Sequence, residues 1–306
     1  VQLPKQVQIK EVGPCDGLQN EKTFIKTSDK VEFINRLSET GLDYIEITSF
    51  VHPKWIPQLA DAADVLKEIK RKHSITYAAL VPNIRGLERA IEAEVDEVSV
   101  FMSASEGHNK ANINKSVAET FPILKEVVNE ALAAGKTVRG YISTVIACPY
   151  DGYTQPKQVV RVAEKLFEMG ISEVSLGDTI GVGVPTQVDA LLSEMLKSFK
   201  AEQLAMHFHD TRGTALANVV TSLSRGITKF DSAVGGLGGC PYAKGAAGNV
   251  ATEDLLYLLH EMGIETGIAL EGIQQTALFI EGILGRTLSS KQLAIVRKEE
   301  DSCQTL

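Results

Sequence analysis

Two histidines one residue apart, His207 and His209 in Met206-His-Phe-His-Asp210, carry the sharpest chemical signal in the chain. In an extended segment, residues i and i+2 project from the same face, so the two imidazoles point together and can share a divalent cation. A carboxylate such as Asp16, in Glu11-Val-Gly-Pro-Cys-Asp-Gly-Leu-Gln-Asn-Glu21, would complete a mixed nitrogen and oxygen set suited to Mg²⁺, Mn²⁺ or another first-row divalent ion. Taken alone, the histidine pair is slightly better read as two partly buried rings satisfied by backbone or solvent. Acidic residues at the ends of several other apolar runs favour the metal site. Glu46 in Tyr44-Ile-Glu-Ile-Thr-Ser-Phe50 and Asp178 in Ser175-Leu-Gly-Asp-Thr-Ile-Gly181 sit where a carboxylate needs a partner or a task. A structural ion pair is the competing explanation for both.

A second signal is the segment Gly235–Asn249, in which six glycines, a proline and three alanines surround Cys240. That composition makes a pliable loop that can close over a substrate. Most free cysteines are buried and inert, but a thiol in such a loop is a candidate for proton transfer. Asn249 either caps the following helix or offers an amide oxygen to a metal. Lys54, Lys110 and Lys115 are candidates for ligand phosphates, against the ordinary reading of solvated surface lysines.

These groups must be positioned by regular elements. Short apolar runs predict strands at Val7–Val12, Tyr44–Thr48, Thr76–Val81, Glu97–Met102, Thr137–Thr144, Glu173–Leu176, Leu204–Phe208 and Lys229–Val234. Between them, helical spacing predicts helices at Ser28–Thr40, Ile56–Lys72, Leu87–Glu94, Ser116–Ala134, Gln158–Met169, Thr186–Phe199, Thr214–Arg225 and Thr252–Met262. Another follows at Leu270–Leu284. Eight alternations predict an α/β fold, a (β/α)8 TIM barrel with an extra C-terminal helical segment over residues 1–288. A charged tail without strong periodicity follows over 289–306. Asp16, Glu46, Asp178 and the histidines then all fall at C-terminal strand ends, where such barrels do their chemistry. An open dinucleotide-binding sheet is disfavoured because the turn after the first strand lacks a G-x-G-x-x-G pattern.

The 306 residues, 44% hydrophobic and 23% charged, suit one large domain. A formal charge of −8 argues against nucleic-acid binding. Four widely spaced cysteines, Cys15, Cys148, Cys240 and Cys303, match no zinc pattern and read as free thiols in a reducing compartment. No apolar run is long enough to span a membrane, and Val1–Lys5 shows no secretory signal, so a cytoplasmic location is expected.

The stretches EVGPxDGLQNE, IEITSFVHPKWIPQ, SLGDTIG, HFHDTRGTALAN and GGLGGCPYAKGAAGNVATED together resemble the 3-hydroxy-3-methylglutaryl-CoA lyase family, over about Val7 to Leu288. The cysteine loop is the most specific part. The His-x-His pair and first-strand motif are shared more widely with isopropylmalate synthase, homocitrate synthase and carboxyltransferase domains. The resemblance implies a metal-dependent carbon–carbon lyase of leucine degradation and ketone-body formation, cleaving its acyl-CoA substrate to acetyl-CoA and acetoacetate. It implies Asp16, His207, His209 and Asn249 as ligands of Mg²⁺ or Mn²⁺, Glu46 and Asp178 as acids of the site, Cys240 in proton transfer, and a homodimer.

One residue departs from the family pattern, which has arginine where this chain has Cys15. A guanidinium is always charged and offers several donors in a fixed fork, whereas a thiol is short, weakly donating and neutral until it ionises. Three readings follow: a lyase variant, natural or engineered, of low activity; partial substitution by another cation such as Lys22; or an acyl-CoA-binding paralogue without turnover. A related condensing enzyme is a further alternative, although that class also relies on the arginine. Cys15 as an additional metal ligand would favour Zn²⁺, but neighbouring residues at a strand end tend to point apart.

Overall fold

In the computed structural model, which describes residues 3–238 and 248–303, eight of the apolar runs become parallel strands that close on one another. The strands are β1 (Gln8–Glu11), β2 (Tyr44–Ser49), β3 (Thr76–Leu80), β4 (Glu97–Ser103) and β5 (Thr137–Ser143). After a small antiparallel hairpin of β6 (Ala147–Cys148) and β7 (Gly152–Tyr153) come β8 (Glu173–Asp178), β9 (Leu204–Phe208) and β10 (Lys229–Ser232). The closed order is β1-β10-β9-β8-β5-β4-β3-β2, the (β/α)8 barrel expected from the alternation.

The helices are α1 (Thr27–Ser38), α2 (Ala62–Glu68), α3 (Ile84–Glu92), α4 (Glu106–Ile113), α5 (Val117–Ala133), α6 (Pro156–Glu168), α7 (Pro185–Met195), α8 (Ala215–Ser224), α9 (Thr252–Glu261), α10 (Leu270–Leu284) and α11 (Lys291–Cys303). One set of alternating strand positions, including Ile9, Ile45, Val98, Val138, Val174, Met206 and Phe230, joins the continuous apolar core. The other set carries Lys10, Glu46, Ser99, Arg139, Ser175, His207 and Asp231, all in the same strands. Their mutual contacts fill the barrel axis with ion pairs and hydrogen bonds where branched apolar layers are usual.

Helix boundaries follow local chemistry. Ser116 and Glu119 form a reciprocal cap at the start of α5. Beyond α1, Gly41 adopts φ +96°, and a Cβ there would lie 2.3 Å from the Gly267 carbonyl oxygen, so the αβ turn admits glycine alone without rearrangement.

Besides the β6–β7 hairpin, which was not expected, three elements differ from the sequence expectation. The predicted helix over 56–72 is a 3₁₀ turn at Pro57–Leu59 followed by the short α2, ended where Ile69 turns extended. Pro57 disfavours helical backbone at the residue before it, and Ile56 sits at φ −130° and ψ 80°, so no helix begins there. Helix α4 was not expected because its apolar spacing is weak; Asn109 fixes it instead, accepting from Ser103 N at 2.9 Å and donating to Thr120 Oγ1 at 2.8 Å. Part of the segment read as an aperiodic tail forms α11, whose first turn is held by Asp254 bonded to Ser290, Lys291 and Gln292.

Candidate metal centre and cavity

Just past β1 the chain makes one turn of π-helix, Gly13–Gly17, closed by bonds from Gly17 N to Val12 O at 3.2 Å and Leu18 N to Gly13 O at 3.0 Å. Such widened turns recur at functional sites. Here the turn carries Cys15 and Asp16 over the mouth of the barrel, where both line a cavity of about 620 Å³. Glu46 from β2, Tyr141 from β5, and His207 and His209 at the end of β9 line the same cavity.

Asp16, His207 and His209 each place a donor atom within 4.8 Å of the other two. A fourth group arrives on the strap after β10. Residue Asn249 bridges His209 through the backbone, and Val250 N donates to Phe208 O at 2.9 Å. The Asn249 amide nitrogen donates to Asp16 Oδ2 at 2.6 Å and to Leu237 O at 3.1 Å. That leaves Asn249 Oδ1 buried without a hydrogen-bond partner, and His209 Nδ1 is in the same condition. Two orphaned buried polar atoms, an amide oxygen and a ring nitrogen, beside a carboxylate and a second imidazole are what a divalent cation would satisfy, so these residues fit such an ion. Gly238, at φ +90°, lies so close that a Cβ would sit 2.6 Å from the Asn249 amide nitrogen.

The electrostatics of the two histidines differ. For His207, burial disfavours the charged ring, but the hydrogen bond to Asp231 and the charges of Asp231 and Asp16 outweigh it and raise the pKa. For His209, burial and the neighbouring His207 lower it to about 4. Burial likewise raises the Glu46 carboxyl, against the lowering influence of Arg139; Tyr141 donates to Glu46 Oε2 at 3.0 Å. The Cys15 thiol is raised well above its ordinary value by burial and then by the charges of Glu46 and Asp16, so it is neutral at physiological pH.

Asp178 stands apart from this group. Its side chain is fully buried in the turn after β8, accepting from Gly183 N at 2.8 Å and Val182 N at 3.3 Å, while its neighbours Gly177 and Thr179 line the cavity. Lys115 lines the cavity; Lys22, Lys54 and Lys110 are exposed and do not. Cys240 and most of its loop lie outside the described residues.

Sequence reasoning missed the groups beneath the site. Arg139, fully buried, bonds Glu173 at 2.7 Å, Asp231 at 2.6 Å and the Tyr141 hydroxyl at 2.6 Å. A charged residue midway along the apolar run Thr137–Thr144 was the available signal. Also missed were Glu11 and Glu253, fully buried carboxylates that clamp the turn after β10. Glu11 accepts from Val234 N at 3.0 Å and Glu253 from Gly235 N at 3.0 Å.

Residues 6–280 match the HMGL-like family model. A Bacillus subtilis hydroxymethylglutaryl-CoA lyase is 58% identical over 294 residues, covering 96% of this chain and 98% of that protein. The crystal structure of the Bacillus subtilis HMG-CoA lyase superposes with a TM-score of 0.96 at 57% identity, covering 97% of this chain and 100% of the other. An HMG-CoA lyase from Acinetobacter baumannii, solved with coenzyme A and 3-methylmalate, superposes with a TM-score of 0.90 at 38% identity, over 95% of each chain.

Proposed function

The chain belongs to the HMGL-like family of hydroxymethylglutaryl-CoA lyases and their relatives, and from that premise we propose that it cleaves 3-hydroxy-3-methylglutaryl-CoA to acetyl-CoA and acetoacetate. The observation that carries this reading is the cluster of Asp16, His207 and His209 with the orphaned Asn249 Oδ1 beside it, opening on one cavity. These four residues would hold a divalent ion, Mg²⁺ or Mn²⁺. Once bound, the ion would supply Lewis acidity that lowers the pKa of the substrate's tertiary hydroxyl and fixes its orientation.

The chain's own groups do the rest. Asp16 takes the hydroxyl proton, with His207 positioned beside it on the cavity wall, and Glu46, buried and hydrogen-bonded to Tyr141, lines the same cavity as an acid of the site. Asp178 shapes the turn after β8 through the Val182 and Gly183 amides. As the carbon–carbon bond breaks, electron density moves to the thioester oxygen, where preorganised donors matter most. Cys240 returns a proton to the acetyl-CoA carbanion.

Cys15 makes this a weak lyase. Its neutral thiol is the group that the π turn directs to the cavity, and Arg139 is fully engaged by Glu173, Asp231 and Tyr141. Lys22 is exposed and away from the cavity, so it does not replace the missing cation. The protein works as a homodimer in the reducing cytoplasm, in keeping with the free, buried thiols of Cys15 and Cys148; no helix among the described residues is long and apolar enough to cross a membrane.

The test is acetoacetate release from the acyl-CoA in the presence of Mg²⁺ or Mn²⁺, compared with chelated enzyme and with Cys240→Ser. Slow, metal-dependent release that falls further in Cys240→Ser supports the reading. Tight acyl-CoA binding without release would make the chain a binding paralogue.

A further inference from the structure

Beneath the proposed metal ligands lies a buried acid that no part of the reaction scheme above uses. Asp231 stands on β10 directly beside His207 on β9, and the strand register pairs the two residues. Its Oδ2 atom lies 3.1 Å from His207 Nδ1 and accepts from Ser175 Oγ at 2.7 Å. Its Oδ1 atom accepts from Arg139 at 2.6 Å. The carboxylate is fully buried and anchored by both oxygens, while the imidazole it touches borders the cavity.

We propose that Asp231 is the positioning residue of the metal centre: it receives the Nδ1 proton of His207, fixes the ring plane, and leaves Nε2 as the donor turned toward Asp16 and His209. An ionised carboxylate held by a guanidinium and a hydroxyl is only an acceptor, so the nitrogen facing it must carry the proton. The other nitrogen is then unprotonated and free to ligate, and its basicity is increased by the same contact. Arg139 and Ser175 keep the carboxylate from swinging into the site and becoming a ligand itself. This inference rests on the metal reading given above.

The first experiment measures Mn²⁺ affinity by electron paramagnetic resonance on the full chain and on Asp231→Asn, with near-ultraviolet circular dichroism to confirm the fold. Outer partners of metal-bound histidines typically contribute ~10–100-fold in metal affinity. Asp231→Asn is therefore expected to weaken Mn²⁺ binding by about that factor while the folded spectrum is kept. A folded variant with unchanged Mn²⁺ affinity overturns the proposal. If the native chain itself fails to bind Mn²⁺, the metal reading fails first. The second experiment needs no variant: long-range ¹H–¹⁵N spectra of the native, Mg²⁺-loaded protein, with His207 assigned from His207→Gln, report which ring nitrogen is protonated. A proton on Nδ1 is expected; an Nε2–H tautomer refutes the proposal whether or not Asp231→Asn folds.

Discussion

Replacing Cys15 with arginine is expected to raise the turnover of acyl-CoA cleavage by at least ~10²-fold, because loss of one preorganised oxyanion donor typically costs ~10²–10³ in kcat, about 2.7–4 kcal/mol. The structure sets the terms of that estimate. The thiol is neutral, held so by burial and by the charges of Glu46 and Asp16. Its surroundings are short of cations: Arg139 is bound by Glu173 and Asp231, and Lys115 stands on an exposed part of the lining. A guanidinium in its place would enter a cavity of about 620 Å³ with Glu46 and Asp16 as counter-charges. Cys15→Lys restores charge without the planar fork, so it should recover less. The assay is saturation kinetics of acetoacetate formation with Mg²⁺ or Mn²⁺, run on the native chain and both variants. The increase should appear in kcat more than in KM, since the interaction strengthens as charge develops. A native enzyme that is already fast, with an arginine variant no faster, refutes the reasoning and assigns enolate stabilisation to another group. If no variant cleaves the substrate, the lyase assignment itself fails.

Other perturbations test the scaffold beneath the site. Gly238→Ala should weaken Mn²⁺ binding without removing any ligand, because its Cβ would meet the Asn249 amide at 2.6 Å from a backbone at φ +90°; metal titration of the variant below its thermal midpoint reads this. Arg139→Gln should destabilise the fold by about 3–5 kcal/mol by taking the guanidinium from the fully buried Asp231, while Glu173 keeps Lys10 and Lys229, and urea unfolding measures it. Burial raises the Glu253 carboxyl from 4.5 to about 8 and the Glu11 carboxyl to about 7. An acid that holds its proton longer when folded loses stability as pH rises from its unfolded value to its folded one. Glu253 should thus contribute a falling slope of up to about 1.4 kcal/mol per pH unit between pH 4.5 and about 8. Urea midpoints for Glu253→Gln across that window should show a shallower decline than the native chain; equal slopes would contradict the assignment.

The barrel strands were legible because apolar, often β-branched residues recur at alternate positions in short runs between helical stretches, and the bounds of β9 agree with the expected Leu204–Phe208. The His207 and His209 pair was legible from strand alternation alone, and the structure brings Asp16 and Asn249 to it. What the sequence concealed is side-chain partnership across distant strands. Nothing local in Lys229-Phe-Asp-Ser232 tells that Asp231 meets Arg139 from β5 and Ser175 from β8; only closure of the barrel creates those contacts. Helix α4 was concealed for a different reason, since its stability comes from Asn109 bonds to Ser103 and Thr120 and not from an apolar stripe. Asp178 illustrates the converse: its position at a strand end is as expected, but its carboxylate serves the local turn.

The hydrogen bond between Asp16 and Asn249 joins residues 233 positions apart. During synthesis on a ribosome, the first acid of the cluster therefore emerges long before the last amide, and the intervening strands must pair before the two can meet. A nascent chain halted before β10 has Asp16 and both histidines but neither Asp231 to set the tautomer nor Asn249 to finish the cluster. Assembly of the four-residue cluster is in this way tied to the final closure of the fold, and the proposed ion site is complete only on a chain whose barrel has shut.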